Sequence, residues 1–278
     1  MGYRAGVSDF VHDQALTALS PAEARLSALL GRPKPIALAC IAGLTALGWL
    51  AVGLLSAHAP LGWQALCEPS RAGGAEAFAI AAGMWVAMVL AMMLPTAGPM
   101  ILTYAEIADT AARKREHVVS PLVLAAGYVA VWLGFALAAA LLQWALASAG
   151  WHAEAGAGLV VSGALFVGAG IYQFTTMKRA CLSVCRRPFP FFFRNWTTET
   201  AGVLRLGVQQ GMHCVGCCWA MMALMFATGA MNVVWMAALG ALMTIEKIST
   251  TPRFSKALGV VFIAAGIALA GVSVVRWI

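Results

Sequence analysis

Long apolar runs alternate along the chain with short polar, basic breaks. A helix that crosses a bilayer needs about 20 mainly apolar residues. Runs of that kind lie at about 36–56, 78–101, 121–146, 157–176, 206–228, 230–246 and 257–276. The pattern predicts an all-α fold, a polytopic transmembrane helical bundle of about seven spans. The sixth run is short and follows the fifth through Thr228-Gly229, which predicts a tight turn and a close helical hairpin. If those two runs form one broken element, the count falls to six. Residues 1–35 are polar and amphipathic and read as an N-terminal cytoplasmic arm, with 9–30 able to form a surface helix. Residues 36–278 form the transmembrane domain.

Lysine and arginine placement orients the runs, because cytoplasmic loops carry the excess of both. Sixteen of the eighteen fall in the arm and in the breaks after the second, fourth and sixth runs; Arg71 and Arg276 stand opposite. A wrong division of the chain would scramble that alternation. The N-terminus is therefore expected in the cytoplasm and, with seven spans, the C-terminus outside. The aromatic and basic segment from Pro188 to Trp196 is expected at the inner headgroup layer, where such rings sit well.

Composition removes the soluble alternative. Apolar residues make up 62% of the chain and charged residues 10%, against about 45–50% and about 25% in soluble domains. With a mean hydropathy of +0.83, hydrocarbon must be the solvent for much of the surface, and the lipid bilayer is the first partner. The net charge of +7 does not describe a nucleic-acid-binding surface, since few basic residues interrupt the apolar runs. No cleavable signal peptide is evident, so the first span is expected to act as an uncleaved anchor. No internal repeat stands out.

Candidate chemistry concentrates in the fifth run, Met212-His-Cys-Val-Gly-Cys-Cys-Trp-Ala-Met-Met222. On a helix Cys214 and Cys218 are four apart, as are His213 and Cys217, while Cys214 and Cys217 are three apart. Such pairs are neighbours on the helix surface. Met221 and Met222 continue that side. Soft thiolate and thioether ligands select copper(I), zinc or iron–sulfur centres, and a histidine within a span is costly unless it faces a cavity or a partner. The bland alternative is that free cysteines pack as small hydrophobes.

The second run contributes Met84, Met88 and Met92, four apart in one stripe, followed by Met93 and Pro95. At 1.5 Å per residue, His213 and Cys214 lie roughly 10–12 Å inside the cytoplasmic end of the fifth run, and Met92 and Met93 roughly 12–14 Å from the same end. The two soft clusters are thus expected at one level, with Pro95 loosening the helix beside them. At the cytoplasmic end of the fourth run, Cys181 and Cys185 are four apart and suit an entry or exit relay. Glu246-Lys247 closes the sixth run on the same side, either as an interfacial ion pair or with Glu246 as a hard ligand, supporting partner or proton acceptor. Asn232 has the place of a cap across the hairpin; Cys40 and Cys67 stand alone and read as structural. Covalent haem attachment, a phosphate-binding glycine loop and a nucleophile elbow have no matching motif.

Together, Met84-Trp, Ala91-Met-Met-Leu-Pro95, Lys178-x-x-Cys-Leu-x-x-Cys185, Cys214-Val-Gly-Cys-Cys-Trp-Ala-Met-Met222, Gly229-Ala-Met-Asn232 and Glu246-Lys247 resemble a bacterial family of predicted metal-binding integral membrane proteins without a settled function. The likeness covers about residues 84–247. It implies metal binding and a place in the bacterial inner membrane, and the family pattern does not call for histidine at 213.

The leading expectation is a membrane protein, a binder and carrier rather than an enzyme, that holds copper(I) and transports or delivers it; zinc and iron suit the same donors. Cys214, Cys217 and Cys218 would form the core, with His213, Met92, Met93, Met221, Met222 and Glu246 around them. A metallochaperone or the subunits of a membrane complex would be its partners. Two other readings use the same residues: a membrane thiol–disulfide oxidoreductase working through Cys214 and Cys217, and a structural or assembly subunit.

Overall fold

The structure is a computed structural model that describes residues 33–57, 74–114, 116–148, 155–228, 233–249 and 251–277. The arm up to residue 32, Cys67, Arg71, Asn232 and Gly229 of the expected turn lie outside the described residues. Every element among the described residues is helical. In chain order they are α1 (Pro33–Ala57), α2 (Ala75–Met88), a wider π segment (Val89–Met93), α3 (Leu94–Arg113), α4 (Pro121–Ser148), α5 (Ala155–Tyr172), α6 (Thr176–Arg186), α7 (Pro188–Arg194), α8 (Thr200–Thr228), α9 (Val233–Ile248) and α10 (Pro252–Trp277).

Each of the seven apolar runs contains helix among the described residues, but not every such helix is long enough for a span. Five helices among the described residues are long and apolar enough to cross a membrane, and six if the bent pair α5–α6 counts as one. This corrects the expected seven. In the sixth run the described helix, α9, has 16 residues, about 24 Å at the helical rise, against a hydrocarbon core of about 30 Å. The fourth run breaks after Tyr172, and α6 leaves at 66° to α5. The Thr175 hydroxyl caps the new helix by accepting from the Lys178 N–H at 3.2 Å, as a threonine at an N-cap commonly does.

The second run is one continuous 39-residue element, Ala75–Arg113, with the π segment inside it. Pro95 causes the irregularity. It has no N–H to give to the preceding turn, and its ring crowds that turn; the helix widens over the five residues just before Leu94. The Thr96 hydroxyl then donates to the Met93 carbonyl at 2.8 Å. Such widened turns are often found at functional sites.

Two helix pairs pack most closely, α4 against α8 and α5 against α10. In the first, Gly127 and Gly207 let the backbones touch: a Cβ on Gly127 would strike the Leu204 carbonyl, and one on Gly207 the Leu124 carbonyl. Small residues at such crossings let helices associate in an apolar solvent. Helix α8 packs against α4, α5, α6 and α9. The methionine stripe Met84, Met88 and Met92 lies in the core with Met93, Met221, Met222, Met236 and Met243. The segment Pro188–Arg194 is a short helix on the basic end, with Phe192 buried against Tyr104 and with Phe189 and Phe193 exposed.

Candidate metal centre

Helix α8 presents Cys214, Cys217 and Cys218 on its buried face, each no more than 2% exposed. Their three sulfurs lie within 4.8 Å of one another, and Cys217 and Cys218 Sγ are 3.3 Å apart. A metal–thiolate bond of about 2.3 Å, the zinc value, separates sulfurs by about 4.0 Å in a trigonal site and about 4.6 Å in a linear one. The observed spacing suits a metal after a shift of less than an ångström at Cys217–Cys218. Cys217 Sγ meanwhile donates to the Cys214 carbonyl at 3.2 Å.

Two other helices reach Cys214, and a third supports one of these contacts. Lys247 of α9 donates from Nζ to Cys214 Sγ at 3.0 Å and to the Thr96 hydroxyl of α3 at 2.7 Å. The Tyr128 hydroxyl of α4 lies 3.0 Å from Cys214 Sγ and 3.0 Å from the Met93 carbonyl. One hydroxyl thus touches both the cysteine motif and the end of the π segment, so the two soft-residue clusters share a level. A buried amine costs heavily unless hydrogen-bonded and paired. Among the described residues Lys247 is held by a thiol and a hydroxyl and by no carboxylate.

Glu246 points elsewhere. Its carboxylate pairs with Lys178 of α6 at 2.8 Å, both side chains 1% exposed, and its carbonyl accepts from Arg186 Nε at 2.9 Å. The expected interfacial pair Glu246–Lys247 does not form; adjacent residues on α9 serve different partners. Glu246 Oε1 is buried without a hydrogen-bond partner among the described residues.

The α6 cysteines approach the motif from the basic end. Cys185 Sγ is 3.9 Å from Cys217 Sγ. Cys181 packs on Gly216, where a Cβ would stand 2.6 Å from its sulfur, and Tyr172 donates its hydroxyl to the Gly216 carbonyl. His213 is not drawn into the sulfur cluster: its Nδ1 lies 2.7 Å from the Gln209 carbonyl and its ring lies beside Phe191. Met92 packs over Gly240 of α9, and Met221 and Met222 follow the cysteines along the buried face of α8. Cys40 is a free, half-buried thiol on α1.

The sequence reading gave Tyr128 and Thr96 no role, took Lys178 only as part of the α6 motif, and read Lys247 only as a partner for Glu246. A signal existed for the lysine, since a cation at the end of an apolar run needs a partner. Nothing local marks Tyr128 or Thr96, whose roles depend on which helices meet.

The family model described as "PpoB2: Copper chaperone" matches residues 82–269. The match covers more than half of the chain, which therefore belongs to this copper-chaperone family. Its range contains the π segment, both α6 cysteines, the α8 motif and Lys247. No curated protein and no solved structure matches the chain. Family membership and the buried three-cysteine cluster together support metal binding and copper handling.

Proposed function

We propose that this protein is a polytopic membrane copper chaperone, which receives copper(I) on its basic, cytoplasm-facing side and delivers it to an acceptor. The observation that carries the reading is the group of three thiols within 4.8 Å of one another in an apolar core, in a chain of a copper-chaperone family. Cys214, Cys217 and Cys218 are the ligands in this proposal, with Met221, Met222, Met92 and Met93 as a soft, polarizable surround. Copper(I) on two of these cysteines as thiolates, with the third a neutral thiol, leaves one negative charge, and Lys247 balances it in a medium where net charge is expensive.

Cys185 is the exchange ligand. At 3.9 Å from Cys217, it can take one coordination position while a deeper cysteine holds another, so the ion moves by ligand exchange and is never released bare. Cys181 sits one turn earlier on α6. Glu246 acts through Lys178 and Arg186, holding α6 against α9. His213, whose ring lies beside Phe191, is not a ligand in this proposal. The basic end faces the cytoplasm by the distribution of lysine and arginine.

The test is copper content of the purified protein after reconstitution with copper(I), wild type against C214S/C217S/C218S. About one copper per chain is expected in wild type and none in the variant; equal copper in both overturns the proposal. The thiol–disulfide reading was placed on Cys214 and Cys217, and the 3.9 Å approach of Cys185 to Cys217 offers it a different pair. A disulfide trapped between Cys185 and Cys217 during turnover, in protein that takes up no copper, would favour it.

A further inference from the structure

Where α5 breaks into α6, beside the ends of α9 and α10, a cavity of about 370 Å³ opens on the basic end of the bundle. Its lining carries five cationic side chains and no carboxylate. Lys178, at the back, is neutralised by Glu246. Arg186 is anchored by neutral acceptors, the Glu246 carbonyl at 2.9 Å and the Ser255 hydroxyl at 3.3 Å, so its charge remains uncompensated. Arg179, Arg187 and Lys256 line the mouth, exposed, and among the described residues none pairs with an acid.

Four uncompensated positive charges around one small concavity repel each other, and an anion relieves that repulsion. Guanidinium groups match phosphate oxygens with paired N–H donors. The wall also supplies Gln173, whose buried side-chain oxygen has no partner and can accept from a hydroxyl on the same ligand. Phe174, Leu182 and Ile248 complete the lining with apolar surface. A basic, partly apolar pocket between helices at the cytoplasmic surface has the chemistry of an anionic-lipid headgroup site.

We infer that this cavity binds a phosphate-bearing anion at the membrane surface, with Arg186 as the preset contact and Arg179, Arg187 and Lys256 closing over it. The sulfur cluster takes no part, so the inference stands or falls separately from copper handling.

The experiment measures the melting temperature of delipidated full-length protein in uncharged detergent, with added phosphatidylglycerol, phosphatidylcholine or inorganic phosphate. Phosphatidylglycerol is expected to raise the wild-type melting temperature by about 5 °C or more at saturating lipid. R179Q/R187Q/K256Q should lose most of that shift, and R179K/R187K, which keeps the charges, should retain most of it. Inorganic phosphate that reproduces the shift in wild type but not in the glutamine variant would assign the site to a soluble phosphate. Phosphatidylcholine acting as well as phosphatidylglycerol, or a full phosphatidylglycerol shift in the glutamine variant, would overturn the inference.

Discussion

Lys247 Nζ donates to Cys214 Sγ at 3.0 Å across the contact between α9 and α8. The lysine therefore belongs to the sulfur cluster, while its sequence neighbour Glu246 belongs to the α6 contact through Lys178. Two adjacent residues hold two different helices against α9.

Replacing Lys247 with methionine keeps the apolar stem and removes the donor and the charge. A hydrogen bond involving a charged group contributes about 1.5–3 kcal/mol, so copper(I) affinity should fall by about tenfold to a hundredfold. Competition with a copper(I) chelator measures this. Unchanged affinity would remove Lys247 from the site.

Tyr128→Phe deletes the hydroxyl that touches Cys214 Sγ and the Met93 carbonyl. With two bonds of about 1 kcal/mol each at stake, stability in detergent should drop by about 1–3 kcal/mol. Helical content at low temperature should not change. A variant as stable as wild type would mean that the contact between the π segment and α8 is held by packing alone.

The Lys178–Glu246 pair offers a double-mutant test. Removing one partner of a buried ion pair leaves an uncompensated charge and costs about 3–5 kcal/mol. Lys178→Met and Glu246→Leu should each destabilise strongly, and the double variant should be less destabilised than either. Additive losses would show that the two side chains do not act as a pair. Unfolding midpoints of the four proteins decide between these outcomes.

Gly216→Ala places a methyl group 2.6 Å from Cys181 Sγ. Overpacking of that kind costs about 1–3 kcal/mol, and the melting temperature should fall accordingly. Adding Cys181→Ala makes room and should recover most of the loss. Failure of that recovery would mean that the added methyl group disturbs α8 by another route.

Long apolar runs were enough to locate every long helix among the described residues, because a segment in hydrocarbon has to satisfy its own backbone hydrogen bonds and helix does so locally. They overstated the spans: an apolar 16-residue helix such as α9 has the composition of a span without the length. Cysteine spacing was also enough to put Cys214, Cys217 and Cys218 on one face of α8, since residues three and four apart are neighbours on any α-helix. Pro95 announced the irregular turn before α3 by the same local logic.

Only the packing of separate helices decided what that face meets. Glu246 and Lys247 stand side by side in the sequence, yet successive residues of a helix point about 100° apart, so one reaches Lys178 and the other Cys214. Tyr128 and Thr96 carry no local mark of their roles, and His213 was grouped with the cysteines by proximity in the chain although its ring turns toward Phe191. Local helix geometry is written residue by residue, whereas a partner 33 to 151 positions away is chosen by which helices pack together.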